Sequence, residues 1–216
     1  MSTPSKKVAE VQQFSPAKSP GTRSDGAHQG NLTGSLRKVK DGVADIHNLV
    51  IKWNKHHMDG LVIIKEIANI KLESVFNRDS EDAENPVPSM PSSLEPLCEK
   101  LLNIYQSLEK VVKKLDRVRS VLIGVQKLND HLTQDDKSDV LFHTWTIEDF
   151  VANSNQLVAM YTKELDLKKQ LCENVAHADD RTTTMFYTSA WLHQPYIDEN
   201  ATAILDMMLL ESGHKK

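Results

Sequence analysis

An all-α fold, an elongated helical bundle with long coiled-coil-like helices behind a disordered N-terminal tail, is predicted by three features of this 216-residue sequence. Apolar residues recur in alternating steps of three and four, which sets them on one stripe of a helix. One such stretch runs from Leu94 to Leu132 with a single polar interruption. The first 35 residues hold many Ser, Pro, Gly, Lys and Gln and few large apolar side chains, too little buried surface to offset the entropy of ordering.

Residues 1–35 therefore read as a tail. Within it Thr3-Pro4-Ser5-Lys6 and Ser15-Pro16-Ala17-Lys18 carry a basic residue three positions after a Ser/Thr-Pro pair, and Ser19-Pro20 is a weaker copy. Thr3, Ser15 and Ser19 are candidate sites for proline-directed kinases of the cyclin-dependent kind; the plainer account is that such pairs are ordinary in disordered tails. A phosphate adds about −1.5 to −2 of charge to a segment with four Lys/Arg against two acidic residues, enough to reverse its sign.

Residues 36–76 predict a helix on Leu36, Val39, Val43, Ile46, Val50 and Trp53. Past Trp53 the register slips through His56-His57-Met58-Asp59-Gly60 and resumes at Leu61, Ile64, Ala68, Leu72 and Val75, the pattern of a stutter or a kink at Gly60 with the two halves facing different neighbours. Residues 77–93, acidic and then rich in proline (Pro86, Pro88, Pro91), predict an irregular linker. Ser93 is a plausible cap for the next helix, with Pro96 in its first turn, where a missing donor costs little.

Residues 94–132 have the most regular pattern: Leu94, Leu97, Leu101, Ile104, Leu108, Val111, Leu115, Val118, Leu122, Val125, Asn129 and Leu132. At ~1.5 Å per residue this helix spans roughly 58 Å, in the range of coiled coils, and Asn129 on the seam is the kind of residue that fixes register. After a polar loop, Thr133 to Asp139, residues 141–216 form a C-terminal helical region. Thr146 caps a third helix with Glu148 and Asp149 in its first turn and an inner stripe of Ile147, Val151, Val158, Tyr161, Leu165, Cys172 and Val175. A short helix from about Asp179 to His193 must end before Pro195, and a last one, Asp198 to Leu210, stops at Gly213.

Composition limits the function. With 26% charged and 39% hydrophobic residues the chain suits long exposed helices, and a large compact core is not expected. The net charge of −4 argues against direct nucleic-acid binding by phosphate neutralisation. Cys98 and Cys172 each fall inside an apolar helical pattern away from any second thiol and read as reduced and buried. No signal-peptide pattern opens the chain and no apolar run approaches the ~20 residues that cross a bilayer, so no membrane partner is expected, and the nucleus or cytoplasm is the expected location.

No catalytic, cofactor-binding or metal-ligating set emerges. His143, His177, His193 and His214 share the C-terminal third, but none forms an HxH or HExxH pair with a carboxylate at ligand spacing, which disfavours a metal-dependent hydrolase. The plain account of His143 and His193 is a bridge between an aromatic neighbour and a backbone carbonyl at a helix end. No GxGxxG or GxxxxGK phosphate loop is present. What remains is a non-catalytic adaptor whose seam (Leu101, Leu108, Leu115, Leu122) and aromatic residues (Trp145, Trp191, Tyr196) are candidate partner interfaces. The rival is a structural coiled-coil homo-oligomer whose stripes satisfy one another.

Aromatic and histidine clusters crowd the last third: Leu141-Phe142-His143-Thr144-Trp145, Trp191-Leu192-His193-Gln194-Pro195-Tyr196 and Met208-Leu209-Leu210-Glu211-Ser212-Gly213-His214. With Arg37-Lys38-Val39-Lys40-Asp41 and the stretch Asp45-Ile46-His47-Asn48-Leu49 to Trp53, they closely resemble the cyclin-dependent kinase 2-interacting protein family. The resemblance covers residues 36–216, is close at 36–54 and 141–214, and rests on helical pattern between them. It implies a nuclear adaptor that links cyclin-dependent kinase 2 and a Cdc7-type kinase at DNA replication origins and contacts the ATR-interacting protein of checkpoint signalling. It further implies a subunit of an AAA ATPase complex acting in replisome turnover and maturation of the large ribosomal subunit.

Overall fold

The computed structural model describes residues 34–73, 91–132 and 140–215. The tail with Thr3, Ser15 and Ser19, nearly all of the 77–93 linker and the Thr133–Asp139 loop lie outside the described residues. The described residues form five helices, α1 (Gly34–Lys71), α2 (Glu95–Leu132), α3 (Ile147–Asn174), α4 (Arg181–His193) and α5 (Glu199–Glu211), with single 3-10 turns at Ser92–Leu94 and Val175–His177, and no strand. The all-α reading holds. At 38 residues each, α1 and α2 are ~57 Å long.

Particular contacts fix the directions. Gly42 near the start of α1 meets Val118 and Leu122 near the end of α2, whereas Leu49, Lys52 and His56 further along α1 share a groove with Ser107, Lys110 and Val111; α1 and α2 are antiparallel. Trp53 meets Tyr161 edge-on at 5.1 Å, and the Lys71 ammonium donates to the carbonyls of Ala176 and Ala178 at 2.6 and 2.7 Å, so α3 runs parallel to α1. The chain then returns down α1. Trp191 of α4 lies on Gly60, Gln194 reaches Trp53, and His214 beyond α5 reaches the Lys40 carbonyl. The molecule is a four-column helical bundle whose fourth column is split into α4 and α5.

Local chemistry sets the ends of these helices. The Asp149 carboxylate accepts from the Thr146 backbone N–H (2.9 Å) and hydroxyl (3.0 Å) at the start of α3, and the Asp180 carboxylate accepts from the Thr183 N–H at 2.8 Å at the start of α4, satisfying donors the helices leave open. Gln194, at φ 44, ends α4 in a left-handed conformation before Pro195. Gly213, at φ 69, ends α5, and the His214 N–H folds back to the Leu209 carbonyl at 2.9 Å. Pro96 sits in the first turn of α2, but Ser93 is not a cap: it lies inside the 3-10 turn that runs directly into α2.

The expected stutter in α1 is absent. Positions 39, 43, 46, 50, 53, 57, 60, 64, 67 and 71 alternate steps of four and three without a break, and every one is buried. The stripe only changes chemistry, with His57, Gly60 and Lys71 standing at core positions. In α3 the same spacing runs 147, 151, 154, 158, 161, 165, 168, 172, 175, so Ser154 and Lys168 complete the predicted stripe. Phe150, Leu157, Glu164 and Leu171 are buried beside it, because α3 packs against α2, α4 and α5 at once. The core is also larger than composition suggests, one apolar cluster drawing on all five helices.

Two glycines, each inside a long helix, separate by packing. A Cβ on Gly60 would overlap Cζ2 of Trp191, whereas one on Gly124 of α2 would meet open space. Gly124→Ala should raise the urea unfolding midpoint, as a helical Gly→Ala change contributes ~0.5–1 kcal/mol. Gly60→Ala should lower it, since overpacking a closed interior costs ~1–3 kcal/mol. Equal shifts in the two variants would contradict the close α1–α4 approach.

Candidate functional site

Two of the regions singled out by sequence, the stretch ending at Trp53 and the Trp191–Tyr196 cluster, meet where α4 turns into α5. Trp191 is fully buried, its indole N–H donating to the His57 carbonyl at 3.1 Å and its ring stacked near His57 at 6.4 Å. Lys168 lies beneath, its ammonium 4.2 Å from the Trp191 ring centroid, 3.2 Å from the Trp191 carbonyl and 3.0 Å from the Glu164 carboxylate. Both members of this ion pair are 0% exposed. The other Glu164 oxygen accepts the Tyr196 backbone N–H at 3.2 Å, and Gln194 accepts the Trp53 indole N–H at 2.7 Å. Three polar side chains and two indole N–H groups thus fasten the α4–α5 turn to α1 and α3.

Electrostatics agree with enclosure. Burial pushes the Glu164 carboxyl up and the Lys168 ammonium down, and their mutual attraction opposes both shifts. Burial, helped by the Lys168 charge, lowers His57 to about 4, so the imidazole is neutral at pH 7. Burial also lowers His47 and raises the Cys172 thiol to about 12. Cys98 and Cys172 are free thiols, as the sequence suggests, but half-buried where the sequence predicts buried ones.

The candidate interface residues fall into three environments. Leu101, Leu108, Leu115 and Leu122 are at most 1% exposed; they pack inside the chain's own bundle and offer no free seam, because α1 and α3 already cover that face of α2. Trp191 is equally closed. Trp145 is half-buried, edge-on to Phe150 at 5.2 Å, while Tyr196 is half-exposed beside Lys163, Asp166, Leu167 and Gln170. Large apolar side chains are exposed on α4 (Met185, Phe186, Leu192) and at Tyr196 beyond it, as they are on α1 (Met58, Val62) and α2 (Leu102, Val121, Leu128). Sequence reading missed this because it looked for regular stripes, and these residues stand off the stripe.

The histidines resolve differently from expectation. His143 and His193 are exposed; the residue that bridges to a carbonyl at a helix end is His214, 2.9 Å from the Lys40 carbonyl oxygen. No group of three or more His, Cys, Asp or Glu converges among the described residues. No helix among them is long and apolar enough to cross a membrane. A cleft of about 240 Å³ opens between α1 and α5, lined by His47, Asn54, Tyr161, Asp198, Thr202 and Asp206 among others.

The conspicuous sequence clusters contact one another. Lys40 meets His214, Trp53 meets Gln194, His57 meets Trp191, and Glu211 accepts from the Thr144 N–H (2.8 Å), the Thr144 hydroxyl (2.6 Å) and the Trp145 N–H (3.2 Å). The fold and this junction define an all-helical protein whose distinctive residues lock a split fourth column onto a three-helix frame. No family model matches the chain. Its sequence is 37% identical over 196 residues to the cyclin-dependent kinase 2-interacting protein of Bos taurus and 36% identical to that of Homo sapiens, in each case across 85% of this chain and 92% of the relative. The Mus musculus protein is 37% identical with the same coverage. The chain belongs to the cyclin-dependent kinase 2-interacting protein family.

Two measurements probe the junction. Lys168→Met leaves Glu164 buried without its partner and should cost ~3–5 kcal/mol in chemical unfolding, with part recovered when Glu164→Gln is added; additive losses would show that the pair is not coupled. His57, lowered from 6.5 to about 4, binds a proton more readily when unfolded, so stability is fully present above pH 6.5 and falls as pH drops toward 4. His47 acts in the same direction. His57→Gln should flatten the decline in unfolding midpoint between pH 7 and pH 5, and an unchanged slope would remove His57 as its source.

Proposed function

We propose that this chain is a non-catalytic adaptor that binds cyclin-dependent kinase 2 through the outer face of α4 and the adjoining turn. The observation that carries the reading is the group Met185, Phe186, Leu192 and Tyr196, between 42% and 62% exposed, on a short helix and the turn that follows it, the helix being pinned by the buried Trp191. Large apolar side chains held on a rigid element suit a binding surface, since little entropy is lost when a partner covers them. The name of the relatives supplies the partner.

The proposal extends to the wider roles that the sequence resemblance implies: a link between that kinase and a Cdc7-type kinase at replication origins, contact with the ATR-interacting protein, and a place in an AAA ATPase complex acting in replisome turnover and large-ribosomal-subunit maturation, all in the nucleus. The homo-oligomer reading is weaker because the stripes that would pair between copies are filled within one chain. A monomer in sedimentation velocity runs is expected.

The direct test is capture of purified cyclin-dependent kinase 2 on the immobilised full chain. Phe186→Asp with Leu192→Asp should reduce capture by at least about tenfold, as for loss of central apolar anchors, while the circular dichroism melt stays within ~2 °C of the parent, since exposed positions contribute little to stability. Undiminished capture by the folded variant would exclude this face.

A further inference from the structure

The groove between α1 and α2 has a composition that neither the fold nor the α4 face uses. Leu49, Lys52 and His56 line it from α1, and Ser107, Lys110, Val111 and Lys114 from α2, around about 170 Å³. Two helices thus bring three lysines and a histidine to one place with no carboxylate in the lining, on a chain whose net charge is −4. Elsewhere on the same helix Lys113 is neutralised by Glu109 at 2.9 Å. Lys52, Lys110 and Lys114 have no such partner among the described residues. The floor is apolar, since Leu49 and Val111 are buried.

We propose that this groove docks an acidic segment of a protein partner, its carboxylates spread over Lys52, Lys110 and Lys114 and one apolar side chain set on Leu49 and Val111. Charge and size select this occupant. Lys52 to His56 and Lys110 to Lys114 are each one helical turn, ~6 Å, which matches one side chain flanked by acidic neighbours. A nucleic-acid surface needs a longer cationic track with large rings for base stacking, and no Phe, Tyr or Trp lines the groove. Neutralising an unpaired cation cluster also favours a fast encounter and gives binding that weakens with salt.

The test uses the full chain and a fluorescein-labelled peptide, Glu-Asp-Glu-Leu-Glu-Asp-Glu, followed by anisotropy. Saturable binding that weakens with added salt is expected, with a loss of at least about tenfold in K110E/K114E, as exposed ion pairs are removed and reversed. K65E/K127E changes the net charge equally at exposed lysines of α1 and α2. These lie ~20 Å along their helices from Lys52 and Lys114, beyond the ~10 Å Debye length, and the variant should bind within about twofold of the parent. A peptide with Ser in place of Leu should bind more weakly. The proposal is overturned if the parent chain shows no saturable binding, if both double variants lose binding equally, if the Ser peptide binds as well, or if a single-stranded oligonucleotide binds more tightly and is lost in K110E/K114E, which would make the groove a nucleic-acid contact.

Discussion

The architecture depends on the seating of Trp191 against Gly60. Absence of a side chain at Gly60 lets α4 approach α1 until the indole lies on the helix backbone, and the same ring covers the Lys168 ammonium. Without that cover, the Glu164–Lys168 pair would face water and lose its reason to be so fully enclosed. With it, Glu164 holds the Tyr196 N–H and Gln194 holds the Trp53 indole, so the break between α4 and α5 becomes a fixed turn. A buried ion pair adds little net stability by itself; here it specifies where the fourth column bends.

Lys71 does comparable work at the other end of α1. The residue is 1% exposed, and its ammonium satisfies the carbonyls of Ala176 and Ala178 where α3 gives way to α4. Open carbonyls at a helix end are costly when buried, so a lysine at the end of one helix closes another and sets the point of reversal. Glu211 and His214 repeat the device at the far end, each tying α5 or its exit to a segment distant in sequence. The columns are thus joined by apolar burial along their lengths and by single polar side chains at their turns.

This division explains the relation between packing and partner binding. The regular stripes are consumed by intramolecular contact, as the complete burial of Leu108 and Leu122 shows. Off these stripes lie the surfaces open to solvent, among them the exposed apolar residues of α4 and the cationic groove between α1 and α2. The two surfaces share no residue and differ in chemistry, so they suit partners of different kinds.

Helix identity, approximate ends and the seam of α2 were determined by the sequence, because three-four spacing and capping residues act locally. Even the continuity of α1 was present in the spacing through His57, Gly60 and Lys71, hidden because these residues are not apolar; Lys168 was hidden in α3 for the same reason. Only the tertiary structure decided that the α2 leucines face inward to the chain's own helices, that Trp191 is closed while Phe186 is open, and that Lys52 joins Lys110 and Lys114. Spacing states which residues share a face of one helix. Which face another helix covers depends on contacts between residues as far apart as Lys40 and His214, and a local pattern carries no record of them.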